Sequence, residues 1–359
     1  LHSENKNFYT DGNGLYGKNR FIAFVSDKTI GLDYEILSSV KIRGIDTIIT
    51  SIDDYAFDGA IIKELTIFED IVTIGKGCFY DSRIDIVEFN AKNLSSLKYI
   101  STGTVYSIFE KAKIKIFNIN NSVESLPSSL FRNAEITKMN INKYDIDFNA
   151  SAFTKSNIET VYFNFDEQVD LTYITNKTKT AILAGAKNLY LKSKLNGDAN
   201  INYNGKKFYL SQENKNGYYH YSTSQTAKFD IFYTVINFKT TYDGTYHNIS
   251  VKVDGLTNYQ ITYGLSEGEY NITNINSNDK FKNSTDGKMT VYFKISADGW
   301  EDTYGFGYLT INKIDLTVAI SNGKGTYGDN PNLVGTGYSV TSGSLIWGET
   351  IELDYFTDA

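Results

Sequence analysis

Apolar–other–apolar triplets recur along the first half of the chain: Leu65-Thr66-Ile67, Val87-Glu88-Phe89, Phe117-Asn118-Ile119, Met139-Asn140-Ile141 and Val161-Tyr162-Phe163. Such alternation is the mark of a half-buried strand. Corresponding positions step by 22, 30, 22 and 22 residues, and the phenylalanines Phe57, Phe79, Phe109, Phe131 and Phe153 keep the same steps. Three columns sharing one irregular set of intervals define a repeat, and the long step implies an insertion, supplied by AKNLSSLKYISTGTVYSIF. A strand recurring once per coil of chain runs parallel to its predecessor, so each coil adds one strand at about 4.8 Å along a stack. The two apolar columns then point inward and each Phe closes the opposite wall, beside the small residues Ala56, Cys78 and Ala152. No coil can bury its Phe alone, so stability becomes a property of neighbouring coils.

The same alternation turns the middle residues Thr66, Glu88, Asn118, Asn140 and Tyr162 outward, which makes them the candidate ligand-binding strip. Solenoids commonly bind along exposed sheets, and an aromatic flanked by amides can stack on a sugar or anchor in a protein pocket. The alternative is an uncommitted solvated face. The position after each strand holds Phe68 and then Asn90, Asn120, Asn142 and Asn164. These asparagines are either an amide ladder offered to a glycan or turn formers that bond their own backbone, the usual role of Asn at such a place.

Beyond about Leu195 the period is lost. KKFYLSQENKNGYYHYST predicts two strands around an Asn216-Gly217 turn. From Lys228 onward the texture is short β runs separated by Gly, Asn and Asp, with no amphipathic helix, which predicts a separate all-β module. The expected organisation is an N-terminal cap (1–34), the repeat solenoid (35–195), a cap or bridging hairpin (196–227), an all-β module (228–313) and the start of a second one (314–359).

With those residues in view, segment 35–195 resembles the BspA-type leucine-rich repeats of bacterial surface proteins. KELTIFEDIVTIGKGCFYDS follows their pattern, with Phe68 where that family prefers Pro. TNKTKTAILAGAKNLYLKS keeps Leu189 and Leu191 but lacks the Phe, and reads as a degraded terminal repeat. Tyr242-Asp243-Gly244, Ala297-Asp298-Gly299-Trp300 and Leu309-Thr310-Ile311-Asn312-Lys313 resemble MBG modules of adhesin-like proteins, and Thr326-Tyr327-Gly328-Asp329-Asn330-Pro331 resembles the opening of a YGX-type copy. The resemblances imply a mostly β protein, a leucine-rich-repeat solenoid followed by sandwich or β-grasp-like modules. They imply an extracellular or cell-surface location and adhesion to a host protein or glycan. The alternatives are a structural spacer or the non-catalytic part of a carbohydrate-active enzyme.

Composition narrows the chemistry. A net charge of −7 without long charge runs gives nothing to displace counterions from nucleic acid, so no nucleic-acid partner is expected. No apolar run reaches about 18 residues, so no membrane insertion is expected in this segment. The opening Leu1 reads as the start of a trimmed or processed piece. Cys78 is the one cysteine, which excludes an intrachain disulfide, and no Cys/His cluster suggests a metal or cofactor. His2, His220 and His247 fall in separate segments without a nucleophile-elbow motif, so no catalytic residue and no enzyme activity are expected. DGNG at 11–14 resembles part of a calcium loop but lacks its later acids, and reads as a turn. The 28 Tyr fit either a sugar-binding surface or an A/T-rich genome.

Overall fold

The computed structural model describes residues 7–25, 31–94, 106–128, 130–149, 151–167, 169, 180–195, 200–215, 217–285, 287–320, 338–346 and 349–351. It is nearly all β and divides into two compact units, Leu1–Ala227 and Lys228–Ala359.

In the first unit, β1 (Phe8–Thr10), β2 (Gly14–Gly17) and β3 (Arg20–Phe24) form an antiparallel run. A short hairpin, β5 (Ser39–Ile42) and β6 (Ile45–Ile48), follows β4 (Leu32–Glu35). The first run continues in parallel into β7 (Ser51–Ile52) and β9 (Thr73–Ile74). The main sheet has ten strands. Its parallel part is β4, β8 (Ile61–Ile67), β10 (Arg83–Phe89), β11 (Lys113–Ile119), β13 (Glu135–Ile141), β15 (Asn157–Phe163) and β16 (Ala186–Leu191). A two-stranded wall of β12 (Ser125–Leu126) and β14 (Asp147–Phe148) belongs to the middle coils. The short helix α1 (Thr180–Gly185) precedes β16 in the coil that lacks its Phe. Antiparallel strands β17 (Asn200–Tyr203), β18 (Lys206–Lys215) and β19 (Tyr218–Ser222) complete the sheet, with β19 paired to β16.

The register follows from the apolar columns. Leu65, Val87, Phe117, Met139, Val161 and Leu189 are successive cross-strand partners, as are Ile67, Phe89, Ile119, Ile141, Phe163 and Leu191. All are buried. A one-residue slip would turn both columns to the outer face, which is why the pattern pins the pairing. Phe57, Phe79, Phe109, Phe131 and Phe153 stack face to face with centroids 5.0, 4.6, 5.6 and 5.1 Å apart. Phe21 of the opening run extends this stack, 4.8 Å from Phe57. The coils also touch through their backbones, Phe57 N–H donating to Cys78 C=O and Phe131 N–H to Ala152 C=O, both at 2.8 Å. Small residues at Ala56, Cys78 and Ala152 permit this approach. Two residues after each Phe the chain turns left-handed, at Gly59, Asp81, Lys111, Asn133 and Lys155, a feature that four non-glycine residues hid from view.

The main sheet includes strands at or beyond both expected solenoid boundaries. β4 spans the expected limit at 34 and is already a strand of the main sheet. Past 195, the hairpin strand β19 pairs directly with β16. The open ladder of the last parallel strand demands a partner, and the hairpin supplies one. Residues 95–105 of the expected insertion and Asn216 of the expected turn lie outside the described residues; Gly217 has the positive φ (80°) that such a turn requires.

In the second unit, β20 (Tyr233–Ile236) pairs with β22 (Ser250–Val253). A four-stranded sheet has the order β21 (Phe238–Thr241), β25 (Thr303–Asn312), β24 (Met289–Ser296), β23 (Gln260–Gly264), with β21 parallel to β25. Ile231, Ile249, Phe281, Val291, Phe293, Ile295, Leu309 and Ile311 form its core. A separate hairpin joins β26 (Thr317–Ile320) to β27 (Tyr338–Ser342). The motif at 326–331 lies outside the described residues.

Candidate binding face

The structure brings all five predicted strip residues into one row: Thr66, Glu88, Asn118, Asn140 and Tyr162 are aligned partners across β8, β10, β11, β13 and β15. The first four are half-buried. Tyr162 is not the exposed anchor that alternation suggested: it is only 6% exposed. Its ring stacks on Tyr190 at 4.4 Å, meets Tyr218 edge-on at 5.9 Å, and carries Lys138 Nζ 4.4 Å from its centre. Alternation states which side of a sheet a residue occupies, but not whether other chain covers that side. Here the outer face is closed toward its antiparallel end, where Thr160, Tyr190, His220 and Ser222 are also buried.

A second outward row lies two residues earlier in each strand and was missed: Glu64, Ile86, Ile116, Lys138, Thr160 and Asn188. Extending the alternation back by two residues would have revealed it. Glu64, Ile86, Ile116 and Lys138 are half-buried, so the open part of the face pairs an apolar patch, Ile86 and Ile116, with the polar row Glu88, Asn118 and Asn140. Lys115 and Asp85 form an ion pair at 3.1 Å beside it.

Hydrogen bonds lock the polar row. Asn140 Nδ2 donates to Asn118 Oδ1 at 2.7 Å, and Asn118 Nδ2 donates to Glu88 Oε1 at 2.5 Å. The asparagines after the strands form a second ladder. Asn164 donates to Asn142, Asn142 to Asn120 and Asn120 to Asn90, at 3.0, 3.0 and 3.1 Å. Asn120 Nδ2 also reaches Glu88 Oε2 at 2.8 Å, and Tyr218 OH donates to Asn164 Oδ1 at 2.9 Å. The expectation that each Asn bonds its own backbone therefore gives way to coil-to-coil bonding; only Asn90 keeps a local contact, Nδ2 to Glu88 C=O at 3.4 Å. Identical amides repeated at the strand spacing satisfy one another better than a turn satisfies each alone. Glu88 is the common acceptor joining the two ladders.

His220 closes the outer row. Its ring stacks on Tyr190 at 4.5 Å, with Nδ1 2.8 Å from Ser211 Oγ and Nε2 3.2 Å from Asn188 Oδ1. Burial pulls its pKa from 6.5 down to about 4. The folded state therefore holds it neutral where the unfolded chain would be protonated. Its contribution to stability is fully present above about pH 6.5 and is lost as the pH falls toward 4, on the order of 3 kcal/mol in all. Denaturation at pH 7 and pH 4 should show that excess acid sensitivity in the parent and not in His220→Gln; equal loss in both would remove His220 as its source.

Other polar side chains of the fold have structural roles. Asp11 of DGNG accepts the backbone N–H groups of Asn13 and Gly14 and the hydroxyls of Tyr16 and Tyr34, closing the solenoid's first end. Burial raises the Cys78 thiol well above its ordinary range, which leaves it inert. Asp53 pairs with Arg20, and Asp54 accepts the Lys76 N–H. His247 bonds Asp243 within a local turn. Among the described residues there is no group of three or more His, Cys, Asp or Glu placed to hold a metal ion, and no helix is long and apolar enough to cross a membrane.

Residues 50–178 match the family model described as "BspA type Leucine rich repeat region", in six copies. Repeats of this type are protein-interaction modules and are typical of bacterial surface proteins. No curated protein and no solved structure matches the chain.

Proposed function

We propose that this chain is a non-enzymatic part of a bacterial cell-surface protein, an adhesin-like module whose solenoid presents its outer sheet face to a host protein or glycan, with the following β modules, MBG-like in sequence, serving as a stalk. The observation that carries this reading is the open half of the face, where Ile86 and Ile116 lie beside an amide row already fixed in place by Glu88 and its neighbours. A preorganised surface loses little side-chain freedom on binding. Its charges, Glu64, Glu88 and Lys138 with the Asp85–Lys115 pair, nearly balance, so binding should depend only weakly on salt.

The test is a screen of the whole protein against host matrix proteins and a glycan panel, followed by Ile116→Ala and Asn140→Ala on whatever binds. A loss of about tenfold or more in each variant is expected. Unchanged affinity in both would remove the face as the site, and a screen without a binder would favour the spacer role.

A further inference from the structure

The second amide ladder borders a groove that the sheet-face reading does not use. Its volume is about 650 Å³, and its lining includes Phe68, Glu69, Asn90, Asn120, Ser122 and Asn142. We propose that this groove is a binding site for a linear, uncharged, β-linked glycan, seated along the ladder with one sugar ring against Phe68.

The argument starts from the capacity of the amides. Each Asn offers two N–H donors and an oxygen with two lone pairs. Asn120 uses both hydrogens, toward Asn90 Oδ1 and Glu88 Oε2. Asn142 uses one, toward Asn120 Oδ1, and its own oxygen accepts once, from Asn164. It therefore keeps one hydrogen and one lone pair without a partner among the described residues. Asn90 is in nearly the same state, since its only donation is the long contact to the Glu88 carbonyl and its oxygen accepts once. A donor and an acceptor held side by side on a planar amide match two neighbouring sugar hydroxyls, one accepting and the other donating.

Asn90 and Asn142 stand two rungs apart, which is about 9.6 Å at the strand spacing. An extended β-linked chain repeats its ring orientation every second sugar at close to that distance, so successive equivalent rings would meet equivalent amides. Phe68 occupies the ladder position in the coil of β8, where the next four coils hold Asn. Its half-buried ring ends the polar row with an apolar plate of the kind that takes the C–H face of a sugar. Glu69 and the Ser122 hydroxyl, which donates to Asn90 C=O at 2.8 Å, border the same space.

The charge argues for a neutral ligand. Among the described residues no cation lines the groove, while Glu69 lies in it and Glu88 is bonded to Asn120, so an anionic polymer would be repelled. A peptide would need an anchoring pocket for a large side chain, whereas this lining is amide, hydroxyl, one carboxylate and a single aromatic.

The experiment titrates the full chain with cellohexaose and chitohexaose up to millimolar concentration by calorimetry, with α-linked maltohexaose as the control. Binding of at least one β-linked hexasaccharide is expected, weakened about tenfold or more by Phe68→Ala. Asn121 is an exposed lining residue, so Asn121→Trp should obstruct the groove without disturbing the ladder and should weaken binding similarly. Lys252→Ala, at an exposed position of β22 in the second unit, should bind as the parent does. Circular dichroism confirms that each variant is folded. No binding of either β-linked hexasaccharide, equal binding of maltohexaose, or binding that survives both Phe68→Ala and Asn121→Trp would overturn the assignment. An extended polar peptide competing equally well for the groove would assign it to protein and would also overturn the proposal.

Discussion

Replacing Phe131 by alanine is expected to destabilise the solenoid by about 3 to 5 kcal/mol. The ring is fully buried, stacked between Phe109 and Phe153, with Phe117 edge-on at 4.9 Å. Its removal deletes apolar contact, leaves a cavity that the stacked backbones cannot close, and breaks three aromatic pairs at once. Because each coil contacts mainly its neighbours, the loss should be felt first at the middle of the stack. Chemical denaturation should then show a lower midpoint, and a lower slope if the two ends of the solenoid uncouple. A loss below about 0.5 kcal/mol, the ordinary size of a surface substitution, would mean that the phenylalanine column is not the spine of the fold.

Tyr162→Ala is the second large effect, and it reverses the role that alternation assigned. An exposed binding aromatic could be removed with a change in stability within about 0.5 kcal/mol. The observed Tyr162 is buried between Tyr190, Tyr218 and the Lys138 ammonium, so truncation should cost about 3 to 5 kcal/mol. Loss of the Tyr162–Tyr190–His220 row should also weaken the near-ultraviolet circular dichroism signal. A stable Tyr162→Ala variant with an unchanged near-ultraviolet spectrum would restore Tyr162 to the surface and extend the binding face toward β16.

The first half of the chain was readable because its repeat states the same physical constraint several times. Ile67, Phe89, Ile119, Ile141 and Phe163 each need a dry neighbour, and one register satisfies all of them. The second half has no such redundancy. In it, β21 pairs in parallel with β25, about seventy residues later in the chain, a contact that neither local texture nor turn chemistry specifies. The site was legible in part: the outward row was found, but its companion Ile86, Ile116 and Lys138 was not, because two of its members are apolar where alternation leads one to expect polar outward residues.

By itself the sequence determined the period, the parallel order, the inward columns and the phenylalanine stack, since periodic burial leaves one arrangement in which every coil covers the next. Only the tertiary structure decided which outward residues stay open. Thr66, Glu88, Asn118 and Asn140 remain half-buried while Tyr162 and Tyr190 are covered, because the antiparallel strands at the end of the sheet bring Tyr218 and His220 against them. Hydrogen-bond partners were decided at the same level. An Asn can bond its own turn or the next coil, and only the 4.8 Å stacking of identical amides made the ladder from Asn164 to Asn90 the better satisfied choice.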